Sequence, residues 1–493
     1  MPVSHEAGWA HADGALRGPA WLRPPEDVNA LVPSLWSSTA RKNEHGALEV
    51  GGVDVRDLVA EHGTPAYVLD EADFRARART FREAFSDYAV YYAGKAFLCT
   101  TVARWTAEEG LLLDVCSAGE LTVALRAGFD PARIGYHGNN KTTAELRRAV
   151  EAGVGRIIVD SFDEIDRLAQ VVAGWFRDGS PSGSPPQPPG GSPSGSPPQP
   201  PDQPPGVLVR ATAGVEAHTH EYIATAHEDQ KFGFSIVSGD AAEAVRRVHA
   251  APGMELRGLH SHIGSQIFDS AGFEVAARRV LALHAELCAE LGIEMPELDL
   301  GGGFGIAYTT QDDPADARRL AKDLTEIVAH ECRALGVPVP ALSIEPGRAI
   351  AGPAMCTVYE VGTVKRVELD AGAARTYVSV DGGMSDNIRT ALYDADYSCT
   401  LANRTSSAAP VLGRVVGKHC EAGDVLVKDE FVPGDIAPGD LLAVPGTGAY
   451  CRSMASNYNH ALRPPVVAVR EGRSTVVVRR ETEDDLLRTD VGA

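Results

Sequence analysis

Between residues 70 and 350, short apolar runs alternate with stretches of helical period, and this alternation constrains the fold more than any other feature of the chain. "DYAVYYAGKA", "LLLDVCS", "RIGYHG", "RIIVDS", "VLVRAT", "LRGLHSHIGS", "ELDLGGGFG" and "ALSIEPGR" read as strands, with "DEADFRARARTFREAF", "TVARWTAEEG" and "AGELTVALRAGF" among the helices. Strands separated by helices pair in parallel, because the chain must cross over to return. About eight such strands in roughly 280 residues predict an α/β fold, a closed (β/α)8 TIM-like barrel rather than an open sheet. The site of such a barrel lies at the C-terminal ends of its strands, where Lys95, Asp114, His262, Ser265, Gly301 to Gly303, Glu345 and Arg348 fall.

The expected boundaries are a barrel over 71–352 and a mostly β domain over 353–493, with strands from 41–70 added to it. After residue 355 strand runs such as "TVYEVGTVKRVEL", "RTYVSVDGG", "APVLGRVVGKHC" and "STVVVRRE" are divided by Gly, Pro and Asp clusters. Residues 1–40 read as an N-terminal arm without clear period, possibly flexible. Residues 179–206 carry the nonapeptide PSGSPPQPP twice and can form neither helix nor central strand. They read as a disordered surface insertion opposite the site, since lengthening a loop costs only ~0.6 kcal/mol per doubling.

A net charge of −21 argues against a nucleic-acid partner, which needs a basic face. The eight cysteines form no CxxC pair, so reduced thiols in a cytoplasmic protein are expected. There is no signal-peptide pattern and no apolar stretch long enough to span a membrane. His218, His220 and His227, and the pair His260 and His262, look like metal ligands in isolation. No metal is expected, because no acid or cysteine in the sequence completes either set.

Lys95 in "YYAGKAFLC" poses the sharpest question, since lysine is rarely buried in a strand without a partner. It either snorkels to water from a strand end or is a reactive amine suited to a Schiff base. The glycine runs "HIGS" and "DLGGGFG" could cradle a phosphate with Ser265, and Arg348 could add a charge-assisted contact. Residues 301–306 read GGGFGI, which is not a dinucleotide fingerprint.

These pieces resemble a known family. "YAGKA", "DVCSAGE", "EDQKFGFS", "HSHIGSQ", "LDLGGGFGI", "EPGR", "DGGMSDNIRTALY", "GKHCEAGD" and "GAYCRSMASNYN" occur in the order found in the fold-type III pyridoxal-phosphate decarboxylases, the ornithine/diaminopimelate/arginine decarboxylase family. The likeness covers about residues 45 to 470 apart from the insert, and is strongest to the members that act on diaminopimelate. It implies pyridoxal 5'-phosphate as cofactor, with Lys95 as its covalent lysine, His262 stacked on the ring and Glu345 facing the ring nitrogen. Asp114, Ser265, Gly301, Gly302, Gly303, Pro346, Gly347, Arg348 and Tyr450 would complete the cofactor site. Cys420 would be the acid that returns a proton, a task open to a thiol near neutral pH.

In this family the cysteine loop comes from a partner subunit, so the resemblance implies a homodimer with shared sites. Diaminopimelate carries an amino-acid group at both ends, so its distal end needs both a cation and an anion. Arg348 and Arg389 would bind the distal carboxylate and Glu421 the distal ammonium, with Tyr393 and Tyr450 as hydrogen-bonding walls. Decarboxylation of meso-2,6-diaminopimelate to L-lysine, the last step of lysine biosynthesis, is the expected activity. The alternatives are a decarboxylase of ornithine or arginine, which needs no distal cation, and a non-catalytic barrel relative.

Overall fold

The computed structural model describes residues 18–178, 205–214, 231–368 and 374–492, with the side chains of 175–178 set aside. Almost all of the proline-rich insert, 179–206, lies outside the described residues, as do His218, His220 and His227. The described chain divides into two compact units, one made of 78–304 with 315–347 and the other of the remainder.

The first unit is a closed barrel of eight parallel strands: β1 (Tyr88–Ala93), β2 (Leu112–Val115), β3 (Ile134–Tyr136), β4 (Arg156–Val159), β5 (Gly206–Thr212), β6 (Glu255–His260), β7 (Glu297–Asp299) and β8 (Ala341–Ile344). Each pairs with the next, and β8 returns to β1 with Ser343 opposite Ala89, so no edge is left open. The apolar runs are continuous because helices cover the outer face and side chains fill the inner one; all seven residues of β5 are buried. Helix starts are set locally: Ser117 caps Ala118–Arg126, and Thr142 with Glu145 forms a capping box for Thr143–Ala152. Gly153, left-handed at φ 74°, ends the latter helix. No helix among the described residues is long and apolar enough to cross a membrane.

The barrel interior is partly ionic. Arg156 on β4 reaches across to Glu297 at 2.8 Å and Ser343 at 3.1 Å, with its guanidinium 4.8 Å from the Tyr91 ring centroid. Ser343 in turn donates to Asp299 at 2.6 Å. These bonds fix the spacing of β1, β4, β7 and β8, whose ends carry candidate groups.

The second unit is built on one long strand, Met355–Glu368, which pairs with Ala374–Val380, Leu441–Pro445 and Ala66–Asp70. Strands Pro410–Val416, Val425–Pro433, Val466–Arg470 and Arg473–Val478 extend the sheet. The expected combination of barrel and β domain is therefore observed. Leu35 and Trp36 are buried in this unit's core with Val68, Val358 and Val467. These two residues lie at the end of the N-terminal arm of 1–40, of which 1–17 lie outside the described residues.

A buried ion pair locks the barrel next to β3. Lys141 Nζ donates to Glu164 Oε1 at 2.7 Å, to Gly138 O at 2.8 Å and to Ile158 O at 2.7 Å, and both side chains are almost fully buried. Lys141→Met leaves Glu164 ionisable and unpaired in the interior, and is expected to cost about 3–5 kcal/mol. Lys141→Met with Glu164→Leu should recover most of that loss in denaturant-midpoint measurements. Equal midpoints for wild type and the single variant would contradict the assignment.

Candidate active site

β1 ends at Ala93, and the chain turns at once: the Gly94 N–H donates to Asp114 O at 2.9 Å, and the Ala96 N–H to Ala93 O at 3.1 Å. Lys95 stands in this turn, exposed, and lines a cavity of about 250 Å³ at the C-terminal ends of the strands. Of the two placements the sequence left open, the structure shows Lys95 past the end of the strand, which stops at Ala93. Lys95 is placed like a reactive group on a barrel rim, with its charge felt by Asp114, His137 and His262.

Asp114 on β2, His262 just after β6 and Glu345 just after β8 line the same cavity. The glycine run after β7 packs behind them. The Gly302 N–H donates to His262 Nδ1 at 3.1 Å, leaving Nε2 as the protonated nitrogen of a neutral ring, and the Glu345 N–H donates to Gly301 O at 2.9 Å. A Cβ on residue 302 would stand 2.3 Å from Glu345 O, so only glycine permits this approach. Ser265 is half-buried on the following loop, Gly303 O accepts from the Ile267 N–H at 2.9 Å, and Pro346 O accepts from the Ala93 N–H at 3.3 Å. Gly347 lies against Ala93, where a Cβ would meet the Ala93 side chain at 2.9 Å.

Two cavity residues escaped the sequence reading. His137, one residue past β3, sets Nε2 3.3 Å from Asp114 Oδ1 and 3.2 Å from Glu345 Oε1. Arg210 on β5 also lines the cavity, stacks 4.5 Å from the Phe232 ring centroid and pairs with Asp160 at 3.5 Å. The signal for His137 was available, since it closes the strand run "RIGYHG" just as Lys95 and Glu345 close theirs. Arg210 offered none, because an arginine within an apolar strand run does not show which way it points.

Glu345 is buried, and burial alone would raise its pKa; the imidazoles of His137 and His260 hold it well below the usual carboxylate range instead. His260 Nε2 lies 3.0 Å from the same oxygen. Asp114 moves the other way: burial, then the charges of Glu345 and Asp299, push it well above its ordinary value. Burial drives His137 and His262 well below the normal histidine value. His137, His260 and Glu345 bring ligand atoms within 4.8 Å of one another, so Glu345 supplies the acid that the sequence did not show beside a histidine pair. Lys95 and Arg210 line the same cavity.

The other expected residues lie in the second unit. Arg348 is buried, donates from Nη1 to the Tyr308 hydroxyl and stacks 4.7 Å from the Tyr450 ring centroid. Tyr450 holds φ 65°, a conformation sparsely populated by non-glycine residues and found where function fixes the backbone. Arg389 is also buried, stacks 4.6 Å from the Tyr308 ring centroid and donates from Nη1 to the Tyr397 hydroxyl, while its Nε has no partner among the described residues. Tyr393 is half-buried, with its hydroxyl 3.9 Å from Met454 Sδ. Cys420 and Glu421 are exposed on the turn between Pro410–Val416 and Val425–Pro433, where Glu421 accepts from the Tyr458 hydroxyl.

Comparison with known proteins agrees with this geometry. Residues 71–352 match the family model described as the pyridoxal binding domain of pyridoxal-dependent decarboxylases. The chain is 51% identical to the diaminopimelate decarboxylase of Mycobacterium leprae over 99% of both chains. It is 53% identical to that of Mycobacterium tuberculosis strain H37Rv, over 94% of this chain and 98% of the relative. The crystal structure of diaminopimelate decarboxylase from M. jannaschii in complex with L-lysine superimposes with a TM-score of 0.81 at 27% identity, covering 93% of this chain and 99% of that one. The cavity, the order of its residues and these likenesses together place the chain in the diaminopimelate decarboxylase family of pyridoxal-dependent decarboxylases.

Proposed function

We propose that the chain converts meso-2,6-diaminopimelate to L-lysine and carbon dioxide, with pyridoxal 5'-phosphate held by Lys95. One observation carries the reading: an accessible lysine on a barrel rim shares a cavity with a buried carboxylate kept low in pKa by imidazoles. The cavity fits the cofactor on its own chemistry. Asp114 Oδ2 is buried with no partner among the described residues, and Lys95, Arg210 and His262 line the same cavity. When bound, the cofactor's ring accepts the electron pair left on the α-carbon as its bond to the carboxylate breaks.

The protein's part is positioning and proton management. Glu345 holds a proton at the ring nitrogen, which a neutral residue would not do. His262, fixed by the Gly302 N–H, offers a flat face for stacking. Ser265 and the loop of Gly301 and Gly303 supply the phosphate side, with Pro346, Gly347, Arg348 and Tyr450 completing it. The Cys420 thiol gives its proton to the α-carbon and regains one from solvent, so the carboxylate leaves as carbon dioxide and a C–H bond replaces the C–C bond.

For the distal end of the substrate we assign Arg389 and Arg348 to the carboxylate and Glu421 to the ammonium, with Tyr393 and Tyr450 beside them. The free Nε of Arg389 is the donor that supports this choice. The active assembly is a homodimer in the cytoplasm in which Cys420 serves the partner's site.

Lys95→Ala should lose the visible absorbance of the bound cofactor and release carbon dioxide at least about a thousandfold more slowly. The wild type should release it from diaminopimelate and little from ornithine or arginine; the reverse preference would overturn the substrate assignment. Mixing inactive Lys95→Ala and Cys420→Ala proteins in equal amounts should restore about a quarter of wild-type activity, since half the dimers then carry one intact site. No recovery after verified subunit exchange would contradict shared sites.

A further inference from the structure

His137 has no part in the reaction as described above, yet among the described ion pairs it alone reaches both Asp114 and Glu345. His137 Nε2 lies 3.3 Å from Asp114 Oδ1 and 3.2 Å from Glu345 Oε1, and a neutral imidazole has one N–H, so at most one of the two acids can take it. Two carboxylates that close to one nitrogen do not both ionise in a buried site without further compensation.

The surroundings are unequal. Glu345 Oε1 is approached by a second imidazole, His260, whose ring meets that of His137 edge-on at 5.1 Å between centroids. Neither Asp114 Oδ2 nor Glu345 Oε1 accepts a hydrogen bond among the described residues, but only Glu345 has a second imidazole nitrogen beside it. The groups that face this pair are Lys95 after β1, Cys116 and Glu120 after β2, Arg210 on β5, and His260 and His262 of the β6 end, with Asp299 of β7 and Arg156 of β4 acting on Asp114 in opposite directions.

The turn that carries His137 is pinned. Its own N–H donates to Val115 O at 2.8 Å, and the next carbonyl, Gly138 O, accepts from the buried Lys141. Gly135 on β3 keeps the approach open, because a Cβ there would stand 2.7 Å from Asp114 Oδ1. Backbone and buried ion pair thus aim one side chain at the gap between two acids.

We propose that His137 is a positioning residue: from its pinned turn it bridges Asp114 and Glu345, so that the pair carries one negative charge and that charge resides on Glu345, with Asp114 left as a protonated donor. The inference rests on the role given above to Glu345 opposite the cofactor's ring nitrogen. The opposite displacements of the two carboxyls, Asp114 upward and Glu345 downward, agree with it.

The test compares His137→Leu, His137→Gln and Glu345→Gln with wild-type holoenzyme, reading the cofactor's dissociation constant and the pH dependence of its absorbance band between about pH 6 and pH 9. His137→Leu should weaken cofactor binding at least about tenfold and make the band titrate within that range, while His137→Gln, which keeps a donor, stays within about threefold of wild type. Wild-type affinity and band in His137→Leu would overturn the proposal, as would equal losses in the Leu and Gln variants, which mark a packing role only. If Glu345→Gln is itself unaltered in both readouts, the reading of Glu345 fails and this inference with it; if Glu345→Gln shifts and His137→Leu does not, the inference alone fails. Should His137→Leu not fold, His137→Phe, a ring without a donor, replaces it under the same criteria.

Discussion

Keeping one carboxylate ionised inside a protein is the constraint around which the barrel end is arranged. A buried acid ordinarily takes up a proton, because burial penalises its charged form. Against this, His137 and His260 bring nitrogens to within 3.2 and 3.0 Å of the same Glu345 oxygen, with His262 nearby. His137 and His260 come from different strands, β3 and β6, so the electrostatics exist only once the barrel has closed. The fold is in this sense part of the chemistry.

The supporting structure follows from that need. Arg156, Glu297, Asp299 and Ser343 tie β4, β7 and β8 together inside the barrel, where apolar layers are usual. The Lys141 and Glu164 pair fixes the turn after β3, and the glycine run after β7 brings backbone against Glu345 and orients His262. Such buried polar bonds add little net stability over well-packed apolar groups, but they restrict geometry to one arrangement. A site that must hold an anion at a fixed place benefits from that restriction more than from extra stability.

Much of this was legible in the sequence. The alternation of strands and helices gives the barrel because parallel pairing leaves few alternatives, and Lys95, Asp114, His262 and Glu345 are visible because each ends or follows a strand. Whether Lys95 is buried could not be read from the run alone, since the apolar stretch continues past Gly94 while the strand stops at Ala93. His137 went unassigned although it closes its strand run as Lys95 does, and Arg210 because an arginine within an apolar run does not show which way it points. The packing of Leu35 and Trp36 was hidden likewise, as their neighbours Val358 and Val467 lie more than three hundred residues away. Local pattern shows where a group stands along an element; it does not show which group faces it.

The most direct test is the rate of carbon dioxide release from meso-diaminopimelate by Glu345→Gln protein shown to retain bound cofactor. If the buried anion drives the electron sink, the variant should turn over at least about a hundredfold more slowly than wild type with its cofactor still in place. A cofactor-loaded variant working within a few fold of wild type would contradict the account, because the charge that the barrel end is built to hold would then have no part in the chemistry.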